Sequence, residues 1–251
     1  MGLFGSNDDD RHPAREHDLP VAEDGGPLDK LSNMFVNRIM DLGLDGVGPL
    51  SSSSEVAADA LRKHGGDVEK AVAEVVSDHV RLAGAGGFVT GVGGLITMPV
   101  SLPANVLGFY TLATRMVAAV AELRGYDVNT PGARAAVMLS LVGGDADELM
   151  RKAGLGMVTS MSGSSRLARL AVSKMPQAAG MMVNKAIGFR LLTTVGGKAL
   201  GRLIRFVPVA GGVVGAGLDG MLMKRIADLA RREFTPRPAG AAVTEEAALT
   251  E

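Results

Sequence analysis

The chain has 251 residues, 47% of them hydrophobic, which is enough for one large domain or two small ones around a sizeable core. It contains no tryptophan and no cysteine. The absence of cysteine excludes a disulfide scaffold and thiolate metal sites, and it fits a reducing compartment such as the cytoplasm. The formal net charge of -1 hides an uneven distribution, with acids concentrated at the amino terminus and bases in the second half.

Residues 1–26 predict a disordered acidic tail, because seven acids, two arginines and several glycines and prolines leave little apolar area to bury. No basic region followed by an apolar run begins the chain, so a secretory signal is not expected. The first residues match a myristoylation pattern at Gly2. The alanine, arginine and glycine bias indicates a bacterial genome, in which that acylation is not expected, and we attribute the match to chance.

Helical periodicity begins directly after the tail. Apolar positions over residues 28–41 predict a first helix that ends at Gly43. The next signals are an N-cap for a short helix in the Ser51–Ser54 cluster with Glu55, a stop at Gly65 and Gly66 after His64, and a new N-cap at Asp67.

The most informative segment is the run from Leu82 to Thr114, 33 residues without a charge. Pro99 and Pro103 are expected to divide it into two helices, 82–98 and 104–123, each near the lower length limit for crossing a bilayer. The pairs Gly87/Gly91 and Gly211/Gly215 have the spacing of close helix crossings. In a soluble core this spacing means backbone packing, and in lipid it means insertion or self-association; the sequence leaves both open.

Further helices are predicted at about 131–142, 145–160, 163–174 and 177–204, and a last one runs from about Val209 to Phe234. The fold class is therefore all-α, a compact multi-helix bundle with a glycine-rich apolar helical hairpin. Residues 27–234 are expected to form a single domain, followed by a disordered tail over 235–251.

None of the candidate motifs for catalysis, metal binding or nucleotide binding is complete in this sequence. Gly197-Lys198 lacks both the first glycine and the hydroxyl of a P-loop, and the dinucleotide-like letters from Gly215 to Gly220 have no preceding strand. Serines occur in no nucleophile elbow. Glu74, Asp78 and His79 could place carboxylates one turn apart on a helix, but positions 78 and 79 do not share a face, so a solvated helix face is expected here and not a metal site. No cofactor, no metal and no enzymatic activity are expected.

Two aspartates have alternative interpretations. Asp219 follows thirteen uncharged residues in its helix, so it is either a buried structural partner of a base such as Lys185 or Arg190, or a proton or ligand group. Asp127 follows a helix end at Gly125 and is expected to hold a turn or an interhelical contact.

A block of bases occupies the second half, since no acid occurs between Glu148 and Asp219. A one-signed block attracts anionic lipid headgroups, nucleic acid or an acidic partner, and the scarcity of aromatic residues makes nucleic acid the least expected. The candidate residues for an anionic surface are Arg151, Lys152, Arg166, Arg169, Lys174, Lys198, Arg202 and Arg205, to which Lys185 and Arg190 add two more bases.

Two blocks of residues, read together, resemble the EcsC protein family. The first comprises Pro99, Pro103 and Asn105, then Arg115, and then Gly125, Tyr126 and Asp127; the second comprises Asn184, Lys185 and Arg190, then Pro208, Gly211, Gly212 and Gly215, and finally Asp219. The resemblance covers about residues 50–234. It implies a bacterial, helical, cytoplasm-facing accessory protein associated with the inner membrane and with an ABC transporter, and it supplies no catalytic residue. Ser101 stands where other members are expected to have a different small polar residue.

The leading hypothesis is a non-enzymatic protein that binds the cytoplasmic membrane surface, with bases on the headgroups and glycine-rich helices partly inserted. The second is a soluble interaction module that docks on an acidic partner, such as an ABC-transporter component or another membrane protein. The third is a hydrolase, for which the candidate carboxylates are Asp127, Asp145, Asp147, Glu148 and Asp219. The sequence does not specify an oligomeric state.

Overall fold

A computed structural model describes residues 26–46, 48–92, 94–143, 150–151, 165–173, 175, 182–183, 185–188, 190–191 and 208–237; side chains at 28–29, 88–105 and 208–214 are outside that description. The described part is all-α, as predicted, and holds no strand. Its helices are α1 (Pro27–Leu44), α2 (Ser53–Lys63), α3 (Val68–Val92), α4 (Gly94–Leu123), α5 (Pro131–Val142), α6 (Arg166–Ala171) and α7 (Pro208–Glu233). Nearly all of both predicted tails, and the predicted helix 145–160 except its middle residues 150–151, lie outside the described residues.

The start of α2 has the predicted capping box. The Ser52 hydroxyl accepts the Glu55 backbone N–H at 3.1 Å, and the Glu55 carboxylate accepts the Ser52 N–H at 3.0 Å, so two otherwise unpaired donors are satisfied. At the other end, Gly65 and Gly66 adopt left-handed φ angles of 61° and 90°, which end the helix. The local signals therefore predicted this helix correctly.

Gly43 does not end α1, contrary to the prediction. The helix continues to Leu44, and a Cβ on Gly43 would lie 2.7 Å from Cγ2 of Thr114 on α4. Gly43 is therefore a position of close approach between α1 and α4, and the helix ends only where Gly46 adopts a φ of 72°.

Pro99 and Pro103 do not divide the uncharged run, which is a second correction. Both lie within α4, and the break between helices falls between Val92 and Gly94. A proline inside a helix removes one backbone hydrogen bond and kinks the helix without stopping it when flanking turns are otherwise favourable. The glycine-rich sequence around residue 93 is the weaker point for helix continuation.

The central layer consists of α3, α4 and α7. Consecutive helices α3 and α4 form a hairpin, and α7 packs on α3 more extensively than any other pair of helices in the described part. Gly84 faces the Ala216 carbonyl and Gly220 faces the Val80 carbonyl, so α7 runs antiparallel to α3. The two long helices thus bring the early residues of α7 beside the late residues of α3.

The remaining helices cover this layer. Both α1 and α2 pack on α4, and α5 packs on α6. Gly132 at the start of α5 touches the end of α6, since its Cβ would lie 2.3 Å from the Leu170 carbonyl oxygen. The helical piece around Gly188 lies on α1, where a Cβ would be 2.6 Å from the Ser32 carbonyl oxygen. The buried core runs through all these contacts, with most of α4 from Ala113 to Ala121 fully enclosed.

Candidate functional site

The fold gathers three uncharged helical segments at one end of the bundle. They are the late part of α3 from Leu82, the first part of α4 up to Thr114, and the part of α7 from Pro208 to Leu218. The packing of α3 on α4 brings the first two together, and the antiparallel packing of α7 on α3 adds the third. We call these segments together the uncharged end.

Glycine allows α3 and α7 to touch at the base of the uncharged end. A Cβ on Gly87 would lie 2.5 Å from the Gly215 carbonyl oxygen, and a Cβ on Gly215 would lie 2.5 Å from that of Gly87. The predicted close-crossing role is therefore confirmed for these two glycines. Gly91 and Gly211 lie in the same helices, but no backbone approach is described for them.

Asp219 is the first charged residue of α7 after the uncharged segment. Its Oδ2 occupies the space beside Gly87, where a Cβ would come within 2.6 Å. The side chain is half-buried. Burial raises the pKa of the Tyr110 phenol on α4, and the negative charge of Asp219 raises it further. Asp219 thus marks the level at which charge returns in α7, and its predicted pairing with Lys185 or Arg190 stays a prediction.

Apolar side chains are exposed at the same level. Leu82 is 50% exposed on α3, and Leu218 and Met221 are each 54% exposed on α7, followed by Leu222 at 41%. Positions 218, 221 and 222 are three and four residues apart and therefore share one face of the helix. This face leads from the uncharged end toward the middle of α7.

Part of the predicted basic stretch packs on α1. Gly188 lies against Ser32 of α1, and the neighbouring Phe35 ring meets the Tyr110 ring at a centroid distance of 6.5 Å. The helical piece that contains half-buried Lys185 and exposed Arg190 therefore packs on α1, which contacts Tyr110 of α4 through Phe35. Arg81, 78% exposed, precedes the uncharged segment of α3. Among the other candidates, Arg151 is exposed and Arg166 and Arg169 are half-buried, whereas Lys152, Lys174, Lys198, Arg202 and Arg205 lie outside the described residues.

Arg115 and His79 form a buried polar pair between α4 and α3. The tautomer follows from the contacts, because Nδ1–H of His79 donates to the Val75 carbonyl at 2.7 Å and Nε2 accepts from Nε–H of Arg115 at 3.2 Å. Burial, together with the nearby Arg115 charge, lowers the pKa of His79 to about 4. His79 is therefore neutral at pH 7 and serves as the acceptor for a buried guanidinium. The sequence did not reveal this pair, although a lone base at the end of an uncharged run signals a buried partner.

Tyr126, in the Gly125-Tyr126-Asp127 motif, joins the end of α4 to the end of α7. The Tyr126 hydroxyl donates to the Thr235 carbonyl at 2.8 Å, and its ring packs edge-on against Phe234. Neighbouring Arg124 donates to the Phe234 carbonyl at 2.9 Å and to Glu69 at 2.9 Å. We call this set of contacts the α4–α7 clasp.

The other two motif residues shape the turn. Gly125 adopts a left-handed φ of 84°, and Asp127 accepts the Asn129 N–H at 2.9 Å, as expected for a turn residue.

The remaining motif residues are distributed over α4 and α7. Pro99, Pro103 and Asn105 lie in the first part of α4, and Pro208, Gly211 and Gly212 begin α7. Their side chains are outside the described residues, as is Asn184 altogether. These motif residues of α4 and α7 therefore lie in the uncharged segments of the two helices.

Carboxylates are not gathered into a reaction centre in the described part of the chain. Asp127 follows α4 beside the clasp, whereas Asp219 lies fifteen residues before Phe234 on α7, which corresponds to about 22 Å along the helix. No group of three or more metal-ligating side chains occurs there either. Glu74 binds Lys63 at 2.7 Å and His64 at 2.6 Å, so it belongs to a polar surface cluster. Asp145, Asp147 and Glu148 lie outside the described residues.

A cavity of about 630 Å³ lies between α5, α6 and α7. Its wall combines apolar and charged side chains: Leu141, Val142, Gly143, Met150, Arg166, Leu167, Leu222, Arg225, Ile226, Asp228, Leu229, Arg232 and Glu233. The Glu233 carboxylate is buried and accepts the Leu167 backbone N–H at 3.0 Å. The sequence did not predict this cavity, since its walls come from three helices distant in the chain.

One stretch among the described helices is long and apolar enough to cross a membrane by length and composition. It is Val106–Leu123, and 67% of it is buried inside the bundle. That burial is the pattern of a core helix in a folded domain.

Comparison with known proteins gives one match. The model of the EcsC protein family matches residues 64–238, well over half of the chain. No curated protein and no solved structure matches the chain.

Proposed function

Because the chain belongs to the EcsC protein family and gathers its uncharged helical segments at one end, we propose that it is a non-enzymatic accessory protein that binds the cytoplasmic membrane surface. The observation that carries the proposal is the uncharged end itself. Helices satisfy their own backbone hydrogen bonds, so an uncharged helical hairpin can enter lipid without unpaired polar groups.

The length of the uncharged end favours insertion into one leaflet. From Leu82 to Val92, α3 rises about 16 Å, roughly half of the 30 Å hydrocarbon core. Val106–Leu123, the stretch that could cross a bilayer, is mostly buried in the bundle instead. The protein therefore lies at the interface with its hairpin tip in the acyl region and the remaining bundle in the cytoplasm.

Charged residues lie where the headgroups would be. Arg81 precedes the uncharged part of α3, and Lys185 and Arg190 flank Gly188, which contacts α1. Cations at this depth attract anionic lipids, at about 1 kcal/mol for each base near the surface. Exposed Leu82 and Leu218 add apolar contact at the boundary.

Flotation of the full chain with vesicles tests the proposal. We expect co-flotation with phosphatidylcholine vesicles that contain phosphatidylglycerol, and much weaker flotation with phosphatidylcholine alone. The paired change Leu82→Asp and Leu218→Asp is expected to reduce the bound fraction at least tenfold. Leu50→Asp, an exposed leucine before α2, is the matched control and should bind as the parent does.

Two outcomes would overturn parts of this proposal. Equal flotation on neutral and anionic vesicles would remove the electrostatic part. A chain that stays monodisperse without detergent and floats with neither kind of vesicle would remove membrane binding, and would favour the soluble module that docks on an acidic protein.

A further inference from the structure

We propose that the cavity between α5, α6 and α7 binds an amphipathic anion, a single acyl chain with a carboxylate or phosphate head. This inference goes beyond membrane binding and does not depend on it. The volume of about 630 Å³ lies within the usual range of about 300–1,000 Å³ for small-molecule sites.

The charges of the residues that line the cavity favour a ligand with an anionic head. Three arginines line the cavity, against two carboxylates that already have partners. The Asp228 carboxylate forms an ion pair with the Lys224 ammonium at 3.1 Å, and the Glu233 carboxylate accepts a hydrogen bond from the Leu167 N–H at 3.0 Å. Neither Arg225 nor Arg232 has a carboxylate within ion-pair distance in the part of the chain that the structure describes. Arg225 and Arg232, both exposed, therefore place positive charge at the rim of the cavity.

The spacing of two arginines on α7 suits the binding of an anionic head. Arg225 and Arg232 are seven residues apart on α7, so they lie on one face of the helix, about 10 Å apart along its axis. The guanidinium groups can bind carboxylate or phosphate oxygens in bidentate fashion. A ligand held by both would have its charged head at the rim of the cavity.

The apolar side chains that line the cavity favour a ligand with an acyl chain. Leu222 and Leu229 lie on α7 within the cavity, and Leu222 also continues the exposed apolar face that begins at Leu218. An acyl chain entering along that face would contact Leu222 and Leu229. Burial of its methylenes contributes about 0.8 kcal/mol each.

Binding can be measured in buffer without vesicles, with dansylundecanoic acid as the fluorescent probe. We expect saturable binding at one site per chain. Arg225→Gln combined with Arg232→Gln is expected to raise the Kd at least tenfold. The control pair, Arg62→Gln with Lys70→Gln, removes the same charge from exposed positions of α2 and α3 and should leave the Kd unchanged.

A second variant and three competitors complete the test. Leu222→Glu, at an exposed position that tolerates the change, places a carboxylate at the mouth and should weaken binding as strongly as the arginine pair. Dodecanoate or dodecyl phosphate should displace the probe, and whichever displaces it at lower concentration identifies the head. Absence of saturable binding, an equal loss in the control pair, or displacement by neutral dodecanol at the same concentration as dodecanoate would overturn the proposal.

Discussion

Gly87 and Gly215 touch backbone to backbone. A Cβ added to either glycine would lie only 2.5 Å from the carbonyl oxygen of the other. Since the chain has no side chain at this crossing, α3 and α7 approach more closely than any larger residue would allow. The contact fixes the level at which the uncharged segments of the two helices lie together.

Gly87→Ala is expected to destabilise the protein by about 1–3 kcal/mol, since the new methyl group meets a backbone carbonyl that cannot move aside easily. Gly86→Ala is the matched control, because a Cβ there meets nothing within 4 Å, and its better helix propensity should stabilise by up to about 1 kcal/mol. Urea denaturation measures both. Equal effects at the two positions would contradict the close crossing.

Acidification between pH 7.5 and 5.0 is expected to lower the free energy of unfolding by about 2 kcal/mol through His79. The folded-state pKa of about 4 lies below the ordinary value of 6.5, so the unfolded chain takes up the proton first and stability falls as the pH drops through this window.

His79→Gln is the comparison for that pH dependence, because it retains an acceptor for Arg115 without titrating. Stability measured by urea denaturation at the two pH values should then change by about 2 kcal/mol less than in the parent. Glu74 and Asp67 have lowered pKa values, so their contributions are lost only at lower pH, as their folded pKa values are approached. An unchanged pH dependence in the variant would refute the role of His79.

Arg124→Met is expected to cost about 2–3 kcal/mol, since it leaves the Phe234 carbonyl without its charged donor at the buried end of α7. Tyr126→Phe removes one hydroxyl donor to Thr235 and should cost about 1 kcal/mol. Glu69→Gln removes only the partly exposed carboxylate partner of Arg124 and should cost less than about 1 kcal/mol. Thermal and urea denaturation would check this order, and a larger loss for Glu69→Gln than for Arg124→Met would contradict it.

Ser52→Ala is expected to destabilise by about 1 kcal/mol, because it removes the acceptor for the Glu55 N–H at the start of α2. Ser54→Ala, at an exposed position inside the same helix, removes a hydroxyl that caps nothing and serves as the control. A similar loss in both variants would show that the capping box contributes nothing specific.

Local signals predicted the helices well, because caps and stops act through neighbouring residues. Ser52 lies at the start of α2, Gly65 follows its end, and Pro131 begins α5, as their chemistry dictates. Gly43 and Pro99 misled the prediction, because Gly43 serves a close approach to Thr114 and Pro99 lies inside α4, which begins at Gly94.

The candidate site was less accessible to sequence reasoning. The uncharged run and the glycine spacing were visible, but the antiparallel partner of Gly87 lies more than a hundred residues later. The pairing of His79 with Arg115 and the walls of the cavity likewise join distant parts of the chain. Only the folded arrangement brings these groups together.

The packing of α7 on α3 also sets an order for biosynthesis. The ribosome releases α3 and α4 long before α7, with residues 93–207 between the two partners. Until the last helix emerges, the glycine-lined face of α3 has no helix to cover it, and the α4–α7 clasp cannot close. A nascent chain at this stage exposes the apolar hairpin, and that is the point at which a chaperone or the membrane itself would receive it.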